Sequence, residues 1–478
     1  MTRRGLNSSR LAISAVSLAL GATGIAACQS TPDTPDAAEI ALETLQEMTG
    51  VPGMALAVVA ADGRELHAEA GIVDLQAGTA VEPRTRFRIG SISKPVTAVL
   101  VGREIDAGRL QLDQPIELYL PDLPASLRQL TLRQLLTHTS GLPHYGVERA
   151  TLGQEHYDRS RDAFSLFQDR AGNSEPGAEY IYSSYGYTVI AAVLETVTNT
   201  PFPEQVAAGF PRDDGPRADW GTYRLTGNLF EFSQGRPQAV PPHDYSYTWS
   251  GGGLTASALG LARFGQNFAA GDLVSASTLT EMTTPGRVAD GSLIETSGSR
   301  IGLGWRLSES PWGERVWHHS GLSPGGRSAL IVFPDSGRSV ALLTNSAWTS
   351  AIETTAMTLA RASDSIPALE PFADCSLFEG EVTIGFEEET ASARSRAMQS
   401  GEICSVGLAV RGRLQTWFNG FDQSDTDHMV LLVRGQIGDE IEAMLVTPVG
   451  VFPVAGMLDG VIEATIGSRE IVIHIRQA

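Results

Sequence analysis

The chain has 478 residues, of which 42% are hydrophobic and 19% are charged. This composition is typical of a globular protein with a large core and excludes a largely disordered chain, and the length allows two or three domains. Asp and Glu outnumber Lys and Arg by 55 to 35, which gives a net charge of -20. An acidic protein repels phosphate backbones, so the charge argues against nucleic-acid binding.

The first 28 residues are predicted to be an export signal. Three arginines among the first ten residues give the segment a basic start, and an apolar stretch rich in small residues follows. The stretch ends in Ile-Ala-Ala-Cys28, which resembles a bacterial lipobox and implies cleavage before Cys28 and lipidation of its thiol. A plain cleaved signal with an incidental cysteine is the alternative. We therefore expect a lipoprotein-type signal peptide over 1–27, a tether over 28–36, and a periplasm-facing protein in the bacterial cell envelope whose membrane contact is a lipid anchor.

Residues 37–364 are predicted to form one α/β domain. A periodic helix closed by Gly50 is followed by two strands, "GMALAVVA" and "RELHAEAGIVD". Another helix is expected from Ser91, with Pro95 tolerated in its first turn. Residues 110–300 mix helices and loops, and strands return at "RVWHHSG", "RSALIVFP" and "RSVALLTN" before a last helix. We expect the first and last strands to share one sheet, with the helical part inserted between them.

The composition changes near residue 364, where a Pro-containing linker begins. Beyond it, short β-type runs alternate with glycine turns, and we predict a small β-rich domain over 365–478. Cys375 and Cys404 both fall in this region. Export to an oxidising compartment favours a disulfide between them, and two free buried thiols are the alternative.

Lys94 is the one lysine in a chain that otherwise uses arginine as its basic residue. A guanidinium stays charged in proteins, whereas a buried amine can lose its proton and act as a base. Ser91 lies three residues earlier, so the two side chains share one face of a helix. Backbone N–H groups at the start of that helix also favour an anion. The pair is therefore predicted to be a nucleophile and its base, although a serine near a surface lysine is the simpler alternative.

Five segments together resemble the serine β-lactamase-like family. They are "FRIGSISKPVTAVL", "LTLRQLLTHTSGLP", "EPGAEYIYSSYGYTVIAAVLE", "SGGGLTASALGLARFG" and "IGLGWRL" with "VWHHSGLSPGGRS", in the family's order over roughly residues 38–362. The family includes class C β-lactamases, D-Ala-D-Ala carboxypeptidases, D-aminopeptidases, family VIII esterases and mitochondrial β-lactamase-like proteases. The resemblance implies an antiparallel sheet flanked by helices with an inserted, mainly helical subdomain, and it does not extend to the C-terminal region.

The resemblance also implies roles for individual residues. Ser91 matches the acylated nucleophile, Lys94 its amine partner, and Tyr182 the tyrosine that moves protons to and from the leaving group. We expect this phenol to lose its proton more easily beside an ammonium. The third family element is matched by His319, Ser320 and Gly321, on a strand at the edge of the site.

The register of this strand predicts how the third element faces the site. The main chain at Leu322 and at Ser91 would supply the oxyanion donors. Because neighbouring side chains on a strand point opposite ways, the register assigns His319 rather than His318 to the site.

Two positions depart from the pattern of true β-lactamases. Ser184 stands where many relatives have Asn, and its hydroxyl cannot replace the amide as donor and acceptor to a substrate. His319 replaces a lysine, and a neutral imidazole attracts a substrate carboxylate less strongly than an ammonium does. Both differences favour peptidase or esterase chemistry. Arg327 could bind a substrate carboxylate, but a solvated surface arginine is the preferred interpretation.

Other motifs are interpreted as structural. The G-x-S-x-G pattern at residues 321–325 is followed by a strand rather than the helix that a nucleophile elbow requires, so it is predicted to be a turn. His138 to Gly141 is expected to end a helix, with Gly141 as the left-handed cap. "SGGGL" at 250–254 is predicted to be a tight turn beside the site, and the acidic segment 422–429 a solvated loop rather than a calcium site.

The sequence therefore predicts an exported serine hydrolase that acts through an acyl-enzyme on a peptide, a D-amino-acid amide or a small ester. The nine histidines show no zinc-type spacing, and neither a metal nor an organic cofactor is implied. A true class C-type β-lactamase is the alternative among enzymes. A cell-wall-binding protein that kept the fold and lost turnover is the alternative outside them.

Overall fold

The computed structural model describes residues 36–474 apart from the following positions: 147–150, 171, 219–229, 234–235, 348–350, 365, 373–374, 376–377, 379, 385–388, 398–402, 411–427, 458–460 and 467–468. The predicted signal peptide, nearly all of the tether and Cys28 lie outside the described residues, as does most of the acidic segment 422–429. Among the described residues, no helix combines the length and the apolar character that a bilayer span requires.

Among the residues that the structure describes, fourteen strands and eight α-helices precede the C-terminal region. The strands are β1 (Gly53–Val59), β2 (Glu65–Asp74), β3 (Thr79–Ala80), β4 (Phe87–Arg88), β5 (Arg217–Ala218), β6 (Phe230–Ser233), β7 (Arg236–Ala239), β8 (Leu254–Ala256), β9 (Glu295–Thr296), β10 (Ser299–Ile301), β11 (Arg306–Glu309), β12 (Arg315–Ser323), β13 (Gly326–Phe333) and β14 (Arg338–Thr344). The helices are α1 (Ala37–Thr49), α2 (Ser93–Asp106), α3 (Leu132–Leu136), α4 (Tyr185–Thr198), α5 (Phe202–Gly209), α6 (Ala258–Ala269), α7 (Ala276–Met282) and α8 (Ile352–Ala362).

Nine of these strands form one antiparallel sheet in the order β3-β2-β1-β14-β13-β12-β11-β10-β9. Strand β1 pairs with β14 over Met54↔Thr344 to Val59↔Ser339, so the first and last strands of the domain lie side by side. The predicted shared sheet with an inserted helical part is therefore confirmed. The insertion runs between β4 and β9 and contains α2 to α7.

Both faces of the sheet are covered, and side chains along β1 alternate between two cores. Ala55, Ala57 and Val59 belong to the core that includes α2, α4 and α6. Met54 and Val58 belong to the core that includes α1 and α8. Because every residue of this strand is buried, it carries a continuous apolar run instead of alternating with polar residues.

The C-terminal region forms a closed antiparallel barrel of eight strands. These are β15 (Gly380–Ile384), β16 (Glu389–Ala397), β17 (Cys404–Val410), β18 (Met429–Ile437), β19 (Glu440–Thr447), β20 (Gly450–Gly456), β21 (Val461–Ile466) and β22 (Arg469–His474). The predicted all-β fold of this region is confirmed, and closure leaves the barrel without open edges. Cys375 is joined to Cys404 by a disulfide, which ties the preceding linker to β17.

The outer surface of the barrel packs against the helical layer behind the sheet. Along β18, Met429, Leu431 and Val433 point into the barrel, whereas Val430 and Leu432 join the core of α1 and α8. A side-chain hydrogen bond supports this contact: the amide of Val451 donates to Thr355 Oγ1 at 3.1 Å. The barrel therefore lies on the face of the sheet that is opposite to α2 and Lys94.

One predicted helix end is wrong in detail. Helix α3 ends at Leu136 with Thr137 as its cap, and the first left-handed residue after it is His138, with φ of 61°. Gly141 is also left-handed, with φ of 73°, but it lies in the loop beyond the helix. A backbone bond explains the early reversal, because the carbonyl of His138 accepts from the amide of Ile181 at 2.7 Å.

Candidate active site

Ser91 lies in a tight turn at the start of α2. The turn is a single 3₁₀ segment, Gly90–Ile92, and α2 begins at the next residue. Gly90 has φ of 49°, and a Cβ on it would lie 2.7 Å from the amide nitrogen of Leu322. Both features demand glycine. Ser93 Oγ holds the turn against β8, since it donates to Gly90 O at 2.7 Å and accepts from the amide of Leu254 at 3.1 Å.

The Ser91 hydroxyl lies between the Lys94 amine and the Tyr182 phenol. Tyr182 OH donates to Ser91 Oγ at 2.7 Å, and Lys94 Nζ lies 3.2 Å from the same oxygen. The three side chains come from two places: the 3₁₀ turn with the start of α2, and the segment just before α4. The structure thus brings together the three residues that the sequence assigned to the chemistry.

Lys94 is fully buried, and its partners define its protonation state. Its Nζ donates to Gly251 O at 2.5 Å and to Ser184 Oγ at 3.0 Å, while the rings of Tyr182 and Tyr187 cover it at 4.6 Å and 5.3 Å. Burial, aided by the charge of Arg306, holds the pKa of Lys94 well below its ordinary value.

A neutral amine fits this set of contacts. It has two N–H groups for Gly251 and Ser184 and one lone pair, which remains for the Ser91 proton. The arrangement therefore supplies a general base next to a hydroxyl nucleophile.

The expectation for Tyr182 is wrong for this resting arrangement. Burial raises the pKa of Tyr182, although its hydrogen bond with Ser91 opposes the shift. The expected ease of deprotonation required an ammonium beside the phenol, but burial holds the pKa of the Lys94 amine well below its ordinary value. A raised pKa keeps the phenol of Tyr182 protonated at neutral pH, which suits it to act first as an acid, with Lys94 as the candidate base.

Strand β12 carries the third element past the nucleophile. His319 lines the cavity beside Ser91, whereas His318 points to the other side, where its Nε2 contacts Ser299 Oγ and Ser308 Oγ at 3.2 Å and 3.1 Å. Nδ1 of His319 lies 2.7 Å from the carbonyl oxygen of Ser320. Burial holds the pKa of His319 well below its ordinary value, so the ring is neutral and Nδ1–H donates to that carbonyl.

The backbone of β12 has an exposed edge next to Ser91. Strand β11 pairs with β12 only as far as Arg306↔His318, so residues 319–323 run on beyond the end of β11. The Cβ position of Gly321 would lie 2.0 Å from Ile89 O, which brings this strand directly against the turn of the nucleophile. The amide nitrogen of Leu322, the predicted oxyanion donor, lies close to Gly90 in the turn that carries Ser91. The Leu322 side chain is 57% exposed at the mouth of the site.

A cavity of about 590 Å³ opens at Ser91 and has two unlike walls. One wall is aromatic, and the other carries two guanidinium groups beside His319. The aromatic wall consists of His144, Tyr145, Tyr182, His243, Tyr245 and Tyr247; the other consists of His319, Arg306 and Arg327. A neutral acyl donor could lie along the first wall, and a carboxylate is favoured at the second.

The cationic wall corrects one interpretation and adds one residue. Arg327 is half-buried, lines the cavity and donates from Nη1 to Gly321 O at 3.0 Å, so it is not a solvated surface arginine. Arg306 was missed by the sequence analysis. It starts β11 directly opposite His318, and Nη1 lies 3.9 Å from Glu353 Oε1. The signal was its place in the quoted "IGLGWRL" segment, but only the folded structure shows that Arg306 lines the cavity.

Two glycine-rich segments have the structural roles that were expected. The "SGGGL" segment forms a π-helical turn, Trp249–Gly253, and places the carbonyl of Gly251 over Lys94. The pattern at 321–325 spans the end of β12 and the turn into β13. Within the described ranges, no cluster of three His, Cys, Asp or Glu side chains is arranged to hold a metal ion.

A hydroxyl, a buried amine and a phenol beside an unpaired strand edge define a serine hydrolase site. The model of the Beta-lactamase family matches residues 40–361, and the chain belongs to this family of serine hydrolases. The match leaves out the C-terminal barrel.

Individual relatives cover different parts of the chain. Penicillin-binding protein 4* of Bacillus subtilis (strain 168) is 24% identical over 310 residues, or 60% of this chain and 67% of the relative. Esterase EstB of Burkholderia gladioli is 32% identical over 209 residues, or 40% of this chain and 53% of the relative. The chain thus spans about two thirds of the first relative and about half of the second. The crystal structure of a D-stereospecific amidohydrolase from Streptomyces sp. has a TM-score of 0.56 at 25% identity and covers 66% of this chain and 95% of its own.

Proposed function

We propose that the chain hydrolyses a peptide, a D-amino-acid amide or a small ester through an acyl-enzyme on Ser91. The observation that carries the proposal is the position of Ser91 Oγ, 2.7 Å from Tyr182 OH and 3.2 Å from the buried amine of Lys94. The similarity to an esterase and to a D-stereospecific amidohydrolase supports these substrate classes.

The geometry supports a sequence of proton transfers. As Ser91 Oγ bonds to the substrate carbonyl carbon, its proton passes to Lys94 Nζ, and the carbonyl oxygen becomes an oxyanion at the amides of Ser91 and Leu322. The bond to the leaving group then breaks as that group takes a proton from Tyr182, and the Lys94 ammonium returns a proton to the phenolate. In the second half of the reaction, water takes the place of the Ser91 hydroxyl as nucleophile, and Ser91 Oγ takes the place of the leaving group. The same proton transfers then free the acid and restore the Ser91 hydroxyl.

The cationic wall supports a substrate that carries a carboxylate. Arg306 and Arg327 line the cavity on the side of His319, and a planar guanidinium pairs with a carboxylate through two parallel hydrogen bonds. Ser184 offers Lys94 a hydroxyl where many β-lactamases have an amide, and a neutral His319 stands in place of a lysine. These two differences make efficient lactam hydrolysis the less favoured activity.

We also propose that the protein is exported and anchored by a lipid on Cys28. The basic start, the apolar stretch and the Ile-Ala-Ala-Cys28 sequence support this location. Metabolic labelling with a palmitate analogue in a bacterial host is expected to mark the full chain and to leave a Cys28→Ala variant unmarked. A labelled Cys28→Ala protein, or an unlabelled wild type, would contradict the anchor.

A fluorophosphonate probe tests the proposed chemistry directly. We expect labelling of Ser91, mapped by peptide mass, and loss of labelling in Ser91→Ala. Lys94→Arg should also abolish labelling, because a guanidinium keeps its proton and cannot accept one. Ser323→Ala, which removes the serine of the G-x-S-x-G pattern, should leave Ser91 labelled. One purified sample is then assayed on p-nitrophenyl esters, D-amino-acid anilides and a chromogenic cephalosporin. A wild-type protein that is not labelled and hydrolyses none of these substrates would contradict the proposal.

A further inference from the structure

Two histidine rings flank Tyr182, and each accepts a hydrogen bond from the backbone next to it. The amide of Ser183 donates to His138 Nδ1 at 3.1 Å, and the amide of Ser184 donates to His144 Nδ1 at 3.2 Å. The His138 ring lies 4.4 Å from the Tyr182 ring in a tilted contact, and the His144 ring meets it edge-on at 5.3 Å. Both histidines belong to the loop that follows α3.

The same loop holds the catalytic segment at two more points. The carbonyl of His138 accepts from the amide of Ile181 at 2.7 Å, and Ser183 Oγ donates to Pro143 O at 2.7 Å. Every residue from 181 to 184 except Tyr182 is thus bonded to this loop through its backbone or its side chain. Tyr182 itself is left with its phenol directed at Ser91.

Acceptance at Nδ1 requires a neutral ring. An imidazolium has a proton on both nitrogens and cannot accept, so each histidine must be the neutral tautomer with its proton on Nε2. Burial of His138 among aromatic rings supports this state, because desolvation holds the pKa of that ring well below its ordinary value. A buried amide without an acceptor is costly, so these two bonds have a strong influence on where the segment lies.

We propose that His138 and His144 are positioning residues, a pair of neutral imidazole acceptors that hold Tyr182 and Ser184 in register with Ser91 and Lys94. The proposed effect passes through the segment that the two rings bind. His144 also lines the cavity, so its variants must separate this effect from contact with the substrate. This inference rests on the proposed function, since it assigns the register of Tyr182 a role in turnover. A displacement of about 1 Å in a catalytic group can cost roughly 10²-fold in rate.

Asparagine and leucine variants separate hydrogen bonding from bulk. Asn Oδ1 can take the place of His Nδ1 as acceptor, and asparagine tolerates the left-handed backbone of His138. Leucine fills space but accepts nothing. We expect His138→Leu and His144→Leu to lower kcat by roughly ten- to hundredfold with KM within a few-fold. His138→Asn and His144→Asn should recover most of kcat.

His144 provides the comparison without backbone strain, because it is not among the residues with positive φ. Its ring also lines the cavity, so a change in substrate contact should appear in KM as well as in kcat. The remote variant His67→Leu, on β2, is expected to keep wild-type kcat. Equal losses in the Asn and Leu variants, with circular dichroism and thermal midpoint unchanged, would overturn the role as acceptors. Wild-type kcat in both Leu variants would overturn it as well.

A double-mutant cycle provides a second test, which distinguishes an effect through Tyr182 from a general loss of folded protein. If the histidines act through the tyrosine, His144→Leu should lower the rate of Ser91 labelling by a fluorophosphonate in the wild type and change it little in Tyr182→Phe. Additive losses would contradict the inference. A wild type that is neither labelled nor active would instead refute the proposed function itself, so the two failures are distinguishable.

Discussion

The side-chain nitrogen of Lys94 lies 2.5 Å from the carbonyl oxygen of Gly251, in the glycine-rich turn that covers the start of α2. That carbonyl directs one N–H of the amine away from Ser91, and Ser184 takes the other at 3.0 Å. The lone pair is therefore left on the side of the nucleophile. The glycine-rich turn takes no part in the reaction itself, but it orients the lone pair of Lys94 toward Ser91.

A buried neutral lysine should make the folded protein less stable at neutral pH than at alkaline pH. The unfolded chain binds a proton at Lys94 below about pH 10.4, whereas the folded chain does not until the pH falls below its lowered pKa. Stability contributed by this group therefore rises with pH between those two values. Lys94→Met removes the titration, so its gain in free energy of unfolding over wild type should be larger at pH 7 than at pH 10.

Denaturant unfolding at the two pH values measures the difference, and Ser91→Ala provides an inactive control that keeps the amine. A gain that is the same at both pH values would contradict a neutral Lys94. The same Lys94→Met protein is expected to be inactive. The buried lysine therefore lowers the free energy of unfolding but is required for activity.

Gly90 should tolerate no side chain without loss of the oxyanion site. A Cβ there would lie 2.7 Å from the amide nitrogen of Leu322, and φ is 49°. Gly90→Ala is expected to lower kcat by about 10²–10³-fold, the typical effect of losing one oxyanion donor. Gly78→Ala is a matched control, because Gly78 has φ of 64° and open space around it.

Backbone strain of roughly 1–2 kcal/mol is common to both glycine variants, so the difference in kcat between them isolates the contact with Leu322. Steady-state kinetics on one ester substrate is sufficient for the comparison. Equal kcat in the two variants would place the oxyanion donors elsewhere.

Much of this site could be predicted because its features are local. Ser91 and Lys94 lie three residues apart, and the alternation of a strand separates His318 from His319 without knowledge of the fold. Arg306 could not be found in this way, because its place at the cavity depends on how distant segments of the folded chain meet. The protonation of Lys94 and Tyr182 also depends on burial by distant segments, which no spacing in the sequence reveals.

The barrel illustrates the same limit at the level of the fold. Its apolar strands β18 and β19 were recognisable, and the all-β character followed from them. Strand β16, Glu389–Ala397, has few large apolar residues and gave no β pattern, yet it pairs along its length with β17. Closure is a property of pairing between strands, such as β15 with β22, that are far apart in the chain.

The disulfide between Cys375 and Cys404 should stabilise the barrel without affecting catalysis. It closes a loop with a sequence separation of 29 residues, for which loop entropy gives about 3–4 kcal/mol. The barrel packs on α1 and α8, on the opposite face of the sheet from Lys94. The double variant Cys375→Ser, Cys404→Ser is therefore expected to unfold at lower denaturant concentration and to keep kcat within about twofold at 25 °C. A large fall in kcat in the folded variant would show that the barrel influences the site.

Arg306 should determine the preference for anionic substrates. Arg306 lines the cavity, and its Nη1 lies 3.9 Å from Glu353 Oε1, which is too far for a hydrogen bond. Arg306→Gln is expected to raise KM for a substrate with a free carboxylate by about tenfold or more, the equivalent of one charge-assisted hydrogen bond. A neutral ester of the same acyl group should change by less than about threefold. Arg300→Gln is the control, since Arg300 is exposed on β10 and outside the cavity. An equal rise in KM for the charged and the neutral substrate would show that Arg306 shapes the cavity without recognising charge.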